Sequence, residues 1–242
     1  MAIDDPIDAA RGQIEAGKGS PVPKVVATIL EGLAAVGFTK LKPAAFLLSR
    51  IAEQRASNTQ YLLDVVIQLV RRLEEQLRVI YQRHQDFVET ELARLTLEAA
   101  ARAQQTSSQE RIERLGLVVV RSVLRGPSAD SELPTEMLRV SVELSAEDVQ
   151  VLAQIHSVQG DELARTGYLP EENLANSTWK QLQTAFPLFR SSAIHSICAK
   201  LQSLGLVTQV PRIPTTLDLT SIPYAILRNG AIYLDLVEKA QC

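Results

Sequence analysis

Cysteine is nearly absent: two in 242 residues, Cys198 inside a predicted helix and Cys242 at the end. A disulfide framework is not expected, and such usage fits a reducing cytosol. Aromatic residues are scarce at 5%, while Leu, Ala, Val, Gln, Glu and Arg are plentiful, a balance that favours helices over a sandwich or barrel. No uncharged apolar run reaches the roughly 18–20 residues that span a bilayer. The best attempt, VVATILEGLAAVGF at 25–38, is broken by Glu31 and flanked by Lys24 and Lys40. It reads as a packed helix, and membrane contact is not expected of it. The first twenty residues are acidic and polar, without the basic and apolar blocks of a secretory leader.

The groups that carry most chemistry are equally thin. The three histidines, His84, His156 and His195, are isolated, and no His, Cys and carboxylate spacing points to a metal. GQIEAGKGS approaches a phosphate-binding loop through Gly12, Gly17 and Lys18. However, Gly19 stands where the magnesium-binding hydroxyl belongs, Ser20 comes one late, and no apolar strand precedes. That stretch reads as a flexible arm. Glu74, Glu75, Glu89 and Glu91 lie among Arg71, Arg72, Arg78 and Arg83, the pattern of a salt-bridged surface rather than paired catalytic acids. Cys198 reads as buried filler and Trp179 as a core anchor. No enzyme activity, cofactor or metal is expected.

What is present is enough apolar residue, 46% against 22% charged, to bury a core. The length lies between one large domain and two modest ones. After an arm at 1–21, residues 22–126 read as a helical bundle. Val25, Val26, Ile29, Leu30, Leu33 and Val36 mark its first helix, closed by Gly37. Pro43 opens the second, which carries Phe46, Leu47 and Ile51.

From about 57 to 104 neither Pro nor Gly interrupts the pattern. Leu62, Val66, Leu69, Leu73, Leu77, Ile80 and His84 lead a stripe at steps of three and four, and Leu63, Ile67 and Val70 add a second strip. One long helix of about 47 residues, roughly 70 Å, is predicted. Such a rod needs partners along its length, so a homo-oligomer is expected, with Leu62, Leu69, Leu73, Leu77, Ile80 and His84 as the candidate dimer interface. The stripe is not a strict heptad, so a bundle is preferred to a free coiled coil. Ser107 and Glu110 form a capping box for a further helix that Gly126 and Pro127 stop.

Residues 127–144 read as a polar, acidic linker and a short helix near 134–143. There the charge balance shifts: from 126 to 242, Lys and Arg number 8 against 13 Asp and Glu. Ser145 and Asp148 make a second capping box for a helix with Val149, Leu152 and Ile155 on one face. A connection containing Gly and acids leads to NSTWKQLQTAF, capped by Asn176 or Ser177 and ended before Pro187. RSSAIHSICAKLQSLG then places Ile194, Ile197, Leu201 and Leu204 inward, with Gly205 as a left-handed cap and Leu206, Val207 and Val210 beginning a strand. PRIPTTLDLTSIP is an excursion, and YAIL returns as a second strand. Asn229-Gly230 alone would suggest a hairpin turn, but Tyr224 to Val237 reads better as a strand, a turn and a helix.

In order, in spacing and in "LxxLGLV", residues 145–242 resemble a winged helix-turn-helix domain. More loosely, "ERIERL" and "LSAEDVQVL" resemble uncharacterised bacterial abortive-infection-type proteins, with no matched functional residue. The expected fold is therefore mainly α, a long-helix bundle followed by an α+β winged helix. That resemblance implies a second helix set in a DNA major groove, with wing residues on backbone or minor groove.

Phosphate neutralisation dominates such binding. Between Glu172 and Asp218 there is no acidic residue, while Lys180, Arg190, Lys200 and Arg212 are basic. These four, with Ser191, Ser192, His195 and Gln202, are the candidate nucleic-acid contacts. The expected function is a non-enzymatic bacterial cytosolic regulator, dimeric, with double-stranded DNA as partner. The alternative is a protein-interaction or phage-defence-type protein whose winged helix recognises protein and whose helical part binds partners or a membrane surface.

Overall fold

The computed structural model describes residues 57–127, 131–166, 172–210 and 223–238. The arm, the helices expected at 25–38 and 43–51, Arg212 and Cys242 lie outside them. The described part is mainly helical, with one small antiparallel sheet. It divides into two compact units between Glu143 and Leu144, so the short helix at 133–143 goes with the N-terminal unit.

The long helix is not a rod. The stretch forms α1 (Ser57–Arg72), α2 (Glu74–Arg83) and α3 (Gln85–Ala103), broken at Leu73 (φ −102°, ψ 18°) and at His84 (φ −141°, ψ 51°). Asn58 Nδ2 donates to the carbonyls of Ala103, at 3.3 Å, and Thr106, at 2.7 Å. The end of α3 therefore meets the start of α1, two points that a straight helix would hold nearly 70 Å apart. Nothing in local composition forces these bends. They follow from packing, because the strip Leu62, Leu63, Val66, Ile67 and Val70 and the strip Val88, Leu92, Leu95 and Ala99 bury against neighbouring helices of the same chain.

Ser108, not Ser107, caps α4 (Gln109–Leu124), accepting from the Arg111 amide at 3.4 Å. This helix is buried from Leu115 to Val120, as expected of the central member of a bundle. A Cβ on Gly116 would lie 2.6 Å from Val65 Cγ1, so glycine permits the close approach of α1. Gly126, at φ 75°, stops the helix as predicted. Helix α5 (Leu133–Glu143) packs on α3 and α4. Thr135 Oγ1 stitches it to α3, accepting from Arg94 at 3.0 Å and donating to Glu98 at 2.9 Å.

The C-terminal unit is α6 (Ala146–Thr166), α7 (Glu172–Ala185), α8 (Ser191–Ser203), β1 (Val207–Gln209), β2 (Tyr224–Ile226) and α9 (Arg228–Val237). Val207 pairs with Ile226 and Gln209 with Tyr224. The Ser145 and Asp148 box forms in both directions, at 2.8 and 3.2 Å. Helix α6 then runs through the expected connection to Thr166, and the His156 ring lies where a Cβ on Gly160 would stand. Helix α7 begins before Asn176 and Ser177, so neither caps it.

Gly205, at φ 69°, closes α8 with two reversed bonds: Leu206 N to Leu201 O at 3.0 Å and Gly205 N to Gln202 O at 2.9 Å. Residues 228–237 are helix, so Asn229-Gly230 is no hairpin turn. The core joins Val151, Leu152 and Ile155 to Trp179, Leu182, Ile194, Cys198, Leu201, Val207, Ile226 and Tyr233.

Candidate nucleic-acid interface

The turn from α7 to α8 is short. Phe186 N donates to Leu182 O, and Phe189 N to Phe186 O, both at 3.0 Å, and the two Phe rings stack at 5.5 Å. Arg190 is the residue before α8, with extended backbone and no side-chain cap bond. Ser191 and Ser192 therefore lie within the helix and do not cap it. Ser191 Oγ instead accepts from Gln183 Nε2 at 3.3 Å. The amides of Ala193 and Ile194 donate to Arg190 O at 2.8 and 3.3 Å, and this end carries the positive pole of the helix dipole, next in sequence to the exposed Arg190.

Ile194, Cys198 and Leu201 face the core, and Ile197 only half does. The opposite face carries Ser192, Ala193, Ser196, Ala199, Gln202 and Ser203, all exposed, uncharged and none larger than glutamine. Lys180, Arg190, Ser191, Ser192 and Gln202 are exposed as a binding role requires.

His195 is only half exposed. Its ring lies 4.4 Å from that of Trp179 and 6.3 Å, edge-on, from that of Tyr224, so it braces α8 against α7 and β2. Trp179 is 2% exposed, a core anchor as expected. Cys198 is fully buried, and burial pushes its thiol up to about 12. Burial, then the neighbouring Cys198, raises the Tyr224 phenol as well.

Lys200 is not a free cation. Its Nζ lies 2.5 Å from Asp148 Oδ2, the oxygen that also accepts the Ser145 amide. The window without acids in sequence is thus not without acids in space, since α6 delivers a buried carboxylate to it. Arg228 adds an exposed cation at the start of α9, unforeseen because the stretch offered hairpin and helix together.

Gln159 was also missed. Fully buried, its Nε2 donates to Thr178 Oγ1 at 2.8 Å and to Tyr224 O at 3.2 Å, and its Oε1 accepts from Ile226 N at 3.0 Å. One carboxamide thereby ties α6 to α7 and β2. A lone Gln before Gly160 carries no sequence signal of this, because its partners lie up to 67 residues away.

Of the candidate dimer residues, Leu62 and Leu77 are fully buried within their own chain and cannot form a surface. Leu69, Leu73 and Ile80 are half-buried, and His84 is exposed at the second bend. Among the described residues no helix is long and apolar enough to cross a membrane.

Scans against protein-family models, curated proteins and solved structures return no match.

Proposed function

We propose that residues 144–242 act as a winged helix-turn-helix module that contacts duplex DNA through α8, in a non-enzymatic regulator or accessory factor. The observation that carries this reading is the solvent face of α8. It is built of small, uncharged side chains, bears no carboxylate, and begins at the exposed Arg190. Small side chains let a helix approach base edges closely, and Ser and Gln can both donate and accept there. Lys180, Arg190 and Arg228 would serve the backbone.

Three helices, a strand pair and a final helix, in that order, support the winged-helix reading. The fluorescence anisotropy of a labelled random duplex across a salt series tests it. Binding that weakens steeply with salt is expected, and replacing Lys180 and Arg190 together by Ala should lower the log–log slope by about two. No binding by micromolar protein at low salt would sink the reading.

A second reading, recognition of a partner other than DNA, is favoured by Leu188, which stands 94% exposed between α7 and α8.

A further inference from the structure

A single exposed apolar side chain is ordinary at a protein surface, whereas a contiguous apolar cluster marks a contact. Between α7 and α8 the chain reads Ala185-Phe186-Pro187-Leu188-Phe189-Arg190. Ala185, Pro187 and Leu188 are exposed, Leu188 at 94%, while the next large apolar side chain among the described residues, Val79, stands at 49%. Phe186 and Phe189 are half-buried and stacked, so the tip rests on a rigid aromatic base. Arg190 follows at once and is exposed, as is Lys180 about a turn before the end of α7.

We propose that this turn is a contact for an anionic lipid surface: Pro187 and Leu188 enter the boundary between headgroups and acyl chains, and Arg190 and Lys180 pair with headgroup anions. The reading does not rest on DNA contact by α8, although it draws on the same two cations, and Leu188 is what separates the two readings.

Three observations favour lipid over other occupants. Leu188 stands 94% exposed, and a bilayer boundary closes around such a side chain without a shaped cleft. The two cations next to it, Arg190 in the chain and Lys180 in the last turns of α7, are both exposed and of one sign. A symmetric contact between two copies would bring Arg190 against Arg190, a like-charge cost that an anionic surface turns into a gain. Nucleic acid satisfies the arginine but leaves the leucine in water unless base steps unstack. Insertion is shallow, since one Leu, one Pro and two half-buried rings bury little area, and the contact is accordingly weak and reversible.

Sedimentation of the full chain with large unilamellar vesicles tests this. One set holds phosphatidylcholine alone and the other phosphatidylcholine with phosphatidylserine. The wild type should partition to the phosphatidylserine vesicles and not to the neutral ones. Leu188→Ser, at a position that touches no core, should lower the partition coefficient roughly tenfold. Arg190→Gln should lower it about fivefold. Circular dichroism checks that both variants fold, and Leu188→Ser should keep whatever DNA affinity the wild type shows.

Equal binding to both vesicle sets, no binding to either, or a Leu188→Ser curve that overlays the wild type would each overturn the proposal. So would self-association that disappears with Leu188→Ser while vesicles bind nothing, which would make the tip a contact between copies.

Discussion

The Cα of Gly230 lies so close to the carbonyl of Leu206 that an added Cβ would sit 2.3 Å from its oxygen. The same oxygen accepts the Leu227 amide at 2.9 Å, so α9 is moored by its first turn to the residue that precedes β1. Helix propensity alone says that Gly230→Ala should stabilise by up to about 1 kcal/mol. The contact says the opposite, because the obstacle is backbone and cannot rotate away. Urea unfolding should show Gly230→Ala destabilised by roughly 1–3 kcal/mol. A stabilised variant would show that α9 can shift freely.

Asp148 gives a sharper test of α8 as the binding helix. Asp148→Asn keeps an oxygen for the Ser145 amide but removes the charge that holds Lys200. Loss of that carboxylate should raise duplex affinity at low salt and steepen the salt slope by at most about 0.9, the equivalent of one phosphate contact. An unchanged slope would mean that Lys200 faces no phosphate.

These two positions also mark where the sequence was legible. Caps and stops declare themselves locally: Ser145 with Asp148, Gly126 and Gly205 each act within one turn of chain, and each stands where the pattern placed it. The apolar spacing of α8 likewise foretold Ile194, Leu201 and Leu204 as core. The bends at Leu73 and His84 did not show, because no residue there disfavours helix and their cause is packing between helices far apart in sequence, which brings Asn58 to Thr106, 48 positions on. For the same reason the site was half-read. The exposed serines and Arg190 follow from periodicity, whereas the pairing of Lys200 with Asp148 spans 52 positions.

Cys198 makes stability depend on alkaline pH. Its folded thiol is raised by burial from an ordinary 9.0 to about 12. Below pH 9 both states hold the proton and the contribution is full. Above it the unfolded thiol ionises while the folded one cannot, so stability falls as pH rises from 9 towards 12. Urea midpoints measured across that range should fall less steeply for Cys198→Ala than for the wild type. Parallel curves would show the thiol to be solvated. In a Cys242→Ser background, native protein should also resist thiol reagents at neutral pH.

Self-association, if it uses the N-terminal unit, has a smaller surface than a long rod would offer. With Leu62 and Leu77 buried inside the chain, Leu73, Val79 and Ile80 are the apolar residues left at least partly open around α2. Light scattering at tens of micromolar should report a dimer, and Val79→Glu a monomer, with unchanged helix content. A wild-type monomer would remove this surface as an interface.

The Asn58 clasp on Ala103 and Thr106 makes residues 58–106 a closed loop of chain, entering and leaving at one place. Closing such a loop costs entropy that grows only with the logarithm of its length, about 0.6 kcal/mol per doubling. Insertions and deletions at the exposed His84 bend are therefore thermodynamically cheap, whereas loss of the carboxamide at 58 removes two of the hydrogen bonds that join the ends of the loop. Drift in length among descendants of this chain should gather at the bend and spare the clasp.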